Sequence, residues 1–147
     1  MITDQRLIQL LMNEVEPLYV LTARDVLTSP RKGRNNLEIL LIIRDEQHPG
    51  FVAQNKPNIL MTRIYDEMKE AIDNMVFTVP PEVRIYHQTM NVFANEISRL
   101  HLHPWKESTN RSAQMLWNCG TIIYPTAIGR DEIVNACCNY PKEMAGD

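Results

Sequence analysis

Apolar positions at Leu7, Leu11 and Val15, with Ile8 beside them, recur about every fourth residue and predict a first amphipathic helix. Thr3 stands where an N-cap belongs, and Pro17 closes the segment at about Val15. The period then shortens. Leu18 to Thr22 is a run of β-prone residues and reads as a short strand, and Ser29, Pro30, Lys32, Gly33, Asn35 and Asn36 make the following stretch a loop. Leu37 to Ile43, LEILLII, is the most apolar segment of the chain. Its length, its branched residues and its turn-forming flanks predict a central strand buried on both faces, with Glu38 as its only charge. Arg44 to Pro57 carries two prolines and Gly50 and is expected to be a loop.

Ile64, Met68, Ala71, Ile72 and Met75 mark one face of a second helix from about Asn58 to Met75. Pro80-Pro81 interrupts the chain before the alternating strand Val83 to His87. Thr89 to His101 is helical through Val92, Phe93, Ile97 and Leu100, and a loop with Pro104 and Trp105 follows. Ser108 can cap a helix reaching Cys119, Gly120 ends it, and Thr121 to Tyr124 is a terminal strand before a helical turn or two at Asp131 to Asn139. The expected order is α-β-β-α-β-α-α-β-α. It predicts one α/β (α+β) domain over residues 1–147, a small mixed sheet of about four strands packed with helices.

The 147 residues suffice for one core without a disulfide or metal staple. A hydrophobic fraction of 44% with 22% charged residues argues against a disordered chain, and a net charge of −3 against bulk attraction to nucleic acid or anionic membrane. No apolar run approaches the roughly 18 residues of a membrane span, and the amino terminus lacks a signal-peptide layout, so no membrane partner is expected. Cys119, Cys137 and Cys138, odd in number and partly adjacent, make a poor disulfide framework and fit a reducing, cytoplasmic setting.

Chemistry is sparse. His101 and His103 fall at a helix end without further ligands at metal-binding spacing, so no metal is assigned. His48 is expected in a loop and His87 as a hydrogen-bonded strand histidine. Cys137-Cys138 is not a Cys-x-x-Cys pair and reads as structural. No glycine-rich phosphate loop or nucleophile elbow occurs, and no cofactor is assigned. Between residues 24 and 34, Arg24, Arg31, Lys32 and Arg34 face only Asp25, a local basic stretch able to meet phosphates or an acidic partner. No aromatic residues are interleaved with it for base stacking.

Four segments taken together resemble the core of the nucleotidyltransferase superfamily, the DNA polymerase beta-like fold. Val20-Leu21-Thr22-Ala23-Arg24 stands where the family has a strand and a Gly-Ser turn. Asn36-Leu37-Glu38-Ile39-Leu40-Leu41 stands for the strand opening acid-apolar-acid, and Val83 to His87 for the strand that supplies a third acid. Leu116 to Tyr124 is similar to the helix-Gly-strand-Tyr ending of small members. The departures fall on the chemistry. Leu21-Thr22 replaces Gly-Ser, Asn36 replaces the first acid, and Arg84, Tyr86 and His87 offer no carboxylate on the third strand. Glu38 alone remains as the catalytic residue if the chain were active, and one carboxylate offsets little of the charge of two divalent ions.

The resemblance therefore implies a non-catalytic relative, a pseudoenzyme acting as a protein-binding or regulatory module. Small acidic proteins of this kind include phage-encoded modifiers of host machinery. The candidate contact residues are Arg24, Arg31, Lys32, Arg34, Arg84 and Trp105. Two alternatives stay open: an RNA- or ribosome-associated domain using the basic 24–34 stretch, and a metal-dependent nucleotidyltransferase with a reduced acid set.

Overall fold

Every residue of Leu37–Ile43 except Glu38 is buried, and the other described elements are arranged around this strand. The computed structural model describes residues 2–24, 36–74, 82–101 and 110–145, without the side chains of 70–72 and 141–145. Among them the elements run α1 (Asp4–Met12), β1 (Tyr19–Arg24), β2 (Leu37–Ile43), α2 (His48–Ala53), α3 (Lys56–Asn74), β3 (Val83–Thr89), α4 (Met90–His101), α5 (Arg111–Gln114), β4 (Thr121–Tyr124) and α6 (Arg130–Ala145). A π-helical turn, Met115–Cys119, continues α5. The strands form one mixed sheet in the order β3-β2-β1-β4, with β2 antiparallel to β1 and parallel to β3, and β1 antiparallel to β4.

Alternation along the central strands divides the core in two. Val20, Leu37, Ile39, Leu41, Ile43 and Ile123 pack on one face against α1, α3 and Phe51 of α2. Leu21, Ala23, Leu40 and Ile42 pack on the other against α4, α6 and the helical segment from Ala113 to Leu116. A strand covered on both sides has no polar face, which is why LEILLII is apolar almost throughout. Each such leucine or isoleucine contributes roughly 1.5–3 kcal/mol by leaving water.

Local signals agree with these elements. The Thr3 hydroxyl accepts from the Arg6 amide (3.2 Å) and caps α1. The Asn110 side chain accepts from the Ala113 amide (3.0 Å) and caps α5, while Ser108 lies outside the described residues. Gly120 is required by contact rather than by backbone angle, because a Cβ there would stand 2.2 Å from the Met115 carbonyl oxygen.

Two expectations are corrected. Arg44 to Pro57 is not a loop: it contains α2 and the first turn of α3. Pro49 and Pro57 sit in the first turns of these helices, where a missing N–H costs nothing and a fixed φ helps. Asn55 (φ 57°) supplies the left-handed residue between them. Phe51, 4% exposed, holds α2 to the core. The last helix is also longer than the turn or two expected, extending past Pro141 to Ala145, with Ile133, Val134 and Cys137 buried on its inner side.

Candidate functional site

Glu38 is the only charged side chain of β2, and it faces the α4–α6 side near the strand's first residue. In the parallel register it stands opposite Arg84, and Leu40 opposite Tyr86. Side chains two apart on a strand share a face, so Arg84 and Tyr86 flank Glu38. The Tyr86 hydroxyl donates to Glu38 Oε1 at 3.0 Å. From the start of α5, Arg111 grips the same carboxylate with two nitrogens: Nε donates to Oε1 at 3.2 Å and Nη2 to Oε2 in close contact. Arg111 Nη1 donates further to Gln114 Oε1 at 3.2 Å. Two-point pairing of this kind is the strong geometry for a guanidinium and a carboxylate.

Burial alone pushes the Glu38 carboxyl up. The hydrogen bonds from Arg111 and Tyr86, with the charges of Arg111 and Arg84, outweigh it and hold the group below the usual carboxylate range. Glu38 thus stays ionised and is already satisfied by the protein's own donors. A divalent cation at this carboxylate would have to displace Arg111 and sit beside Arg84.

The positions matched to the Gly-Ser turn lie inside the sheet. Leu21 pairs with Leu40 on one side and Ile122 on the other, and Thr22 with Ile39 and Thr121. Both are buried. Their backbone is engaged by flanking strands, so this stretch does not present the row of free amides that cradles a triphosphate. Asn36 precedes β2 and is half-buried.

The proposed contact residues separate. Arg24 lies on the opposite face from Glu38, where it donates to Asp4 Oδ1 (3.0 Å) and the Ile2 carbonyl (3.2 Å) at the start of α1. The Arg84 side chain is 58% exposed and pairs with Glu82 at 2.8 Å, a contact that stabilises its charged form. Arg31, Lys32, Arg34 and Trp105 lie outside the described residues. The segment bearing the three basic residues leaves β1 after Arg24 and re-enters before Leu37, and these two residues are partners in the sheet register.

His87 is a hydrogen-bonded strand histidine, in line with the sequence; its partner is His48, which belongs to a helix and not to the expected loop. His101 ends α4, and His103 lies outside the described residues. Among the described residues no three His, Cys, Asp or Glu side chains gather to hold a metal ion. Cys137 is buried with its thiol pushed up to about 12, chiefly by desolvation, which makes it a packing residue rather than a nucleophile.

Sequence reasoning missed Arg111. Its signal was a local inconsistency: a cation directly after an N-capping Asn, at the helix end where the dipole favours anions. Such a residue needs a partner elsewhere, and Glu38 is that partner. Compared with known proteins, the chain matches no family model, no curated protein and no solved structure.

Proposed function

We propose that this chain is a non-catalytic domain of nucleotidyltransferase-like architecture that serves as a protein-binding or regulatory module. One observation carries the reading. The single carboxylate at the position of the family's acids is closed by Arg111 and Tyr86, with Arg84 beside it. Phosphoryl transfer by two metal ions needs several anionic ligands around an open space. Here Glu38 and Glu82 meet two guanidiniums, Arg111 and Arg84, so the local charge sums to zero instead of the excess of negative charge that two divalent ions need. The buried, strand-paired Leu21 and Thr22 support the same reading, because a triphosphate finds no exposed backbone there.

Binding is assigned to the exposed rim of that end of the sheet, where Arg84 stands out and the arginine- and lysine-bearing segment begins and ends. Arginine anchors at a surface rim suit an acidic partner surface. The test pairs two assays on the tagged protein. Incubation with labelled nucleotides and Mg²⁺ or Mn²⁺ is expected to give no transfer, and lysate capture at gentle salt is expected to retain a protein that Arg84→Glu releases. Transfer that disappears in Glu38→Ala would overturn the reading, as would retention of RNA alone, with affinity falling steeply with salt and with Arg31→Glu or Lys32→Glu.

A further inference from the structure

Away from the Glu38 end, the two histidines meet across elements far apart in sequence. His48 opens α2, and His87 lies on β3, on the face that carries Val83 and Ile85. Nε2 of His48 and Nδ1 of His87 are 2.9 Å apart, with ring centroids at 5.1 Å. Phe51, one turn along α2, meets the His87 ring edge-on at 5.4 Å. We infer that this imidazole pair is a proton-sensitive latch, holding α2 against β3 when at least one ring is neutral and releasing it when both are charged.

The reason lies in the hydrogen bond. One imidazole donates an N–H and the other must offer a lone pair, so the pair holds at most one excess proton. A second proton removes the acceptor and places two like charges at contact distance in a half-buried position. His87 is correspondingly held below the ordinary histidine range, first by desolvation and then by the charge of His48. His48 is the one titratable group among the described residues that acts on it in this way.

The other charged residues around α2 are committed elsewhere or stand in the turn before it. Asp45 accepts from the Asn91 amide (3.0 Å) and from the Tyr140 hydroxyl. Lys56, at the start of α3, pairs with Glu14 at 2.6 Å, and Arg63 pairs with the same carboxylate at 2.9 Å. The Arg44 carbonyl accepts from the His48 amide at 3.1 Å. Glu46 and Glu16 face the neighbouring cleft.

That cleft gives the latch a consequence. It has a volume of about 440 Å³ and runs between α2 and the stretch from Met12, the last residue of α1, to Glu16, with Gln47, Gly50, Phe51 and Gln54 as one wall. Releasing α2 from β3 moves that wall and loosens Phe51 from the edge of the first core, so acidification through the histidine range reshapes the cleft while leaving β2 and the second core in place. The inference is independent of the proposed function.

The test is an imidazole ¹⁵N NMR titration from pH 8 to 5, with hydrogen-exchange protection of the amides of residues 51–54 corrected for intrinsic rates. The expected result is two coupled titration steps and a loss of about tenfold or more in α2 protection, relative to Leu40–Ile42, as the second proton binds. His48→Gln and His87→Gln are expected to abolish that pH dependence. Independent titration of the two rings near the ordinary value, or α2 protection that tracks β2 across the range, would overturn the inference. The wild-type titration decides this even if a variant fails to fold.

Discussion

Glu38 and Arg111 illustrate how one side chain changes the meaning of another. An acid on an otherwise apolar strand suggests catalysis until its partner is known; with Arg111 and Tyr86 on it, the carboxylate is a joint between β2, β3 and α5. Arg111→Ala is expected to cost about 1–2 kcal/mol in urea unfolding at neutral pH, discounted because the guanidinium is partly exposed. Arg111→Lys should recover only part of it, since an ammonium cannot make the two-point contact. The folded state holds the Glu38 carboxyl below its ordinary value of 4.5, so its contribution is present above that value and is lost as pH falls through the lowered one. In Arg111→Ala this acid-dependent part should shrink. Gly120→Ala belongs to the same scale. The added methyl collides with the Met115 carbonyl, and a loss of about 1–3 kcal/mol is expected by thermal or chemical unfolding.

At the scale of elements, α2 is the instructive case. Prolines and a glycine in the stretch from Arg44 to Pro57 read as breakers, yet both prolines start helices and Asn55 turns the chain between them. Composition names the residues but not their position within a turn, and that position decides whether a proline begins a helix or breaks one. Asn55→Ala should cost about 1–2 kcal/mol because its backbone is left-handed, and Asn55→Gly should recover most of that in the same unfolding assay. By contrast β2 was legible to the residue, and β4 likewise, because a doubly buried strand and a Gly-bounded β-branched run leave few alternatives. The pairs that join elements were not legible. Glu38 and Arg111 are 73 residues apart and His48 and His87 are 39 apart, and no periodicity links such positions.

For the molecule as a whole, the two-sided sheet with helices on both faces follows from the alternation of strand and helix patterns. Its response to acid should come in two stages. His87 is held neutral in the fold, so stability is fully present above about 6.5 and falls as pH drops through its lowered value. Below 4.5 the carboxylates held ionised by cations follow: Glu38 by Arg111, and Glu14 by Lys56, whose hydrogen bond is the main cause of its lowered value. Urea midpoints measured from pH 8 to 3 should therefore fall in two steps, the upper one absent in His87→Gln.

The central claim of the proposed function is that Glu38, the one acid that the resemblance sets at a metal-ligand position, is already neutralised by Arg111 and Tyr86. Paramagnetic broadening by Mn²⁺, with and without nucleoside triphosphate, reads this directly at the amides of Leu37–Leu41. The account predicts no saturable broadening there in the wild type. Saturable broadening at Glu38 that deepens with triphosphate and vanishes in Glu38→Ala would contradict it.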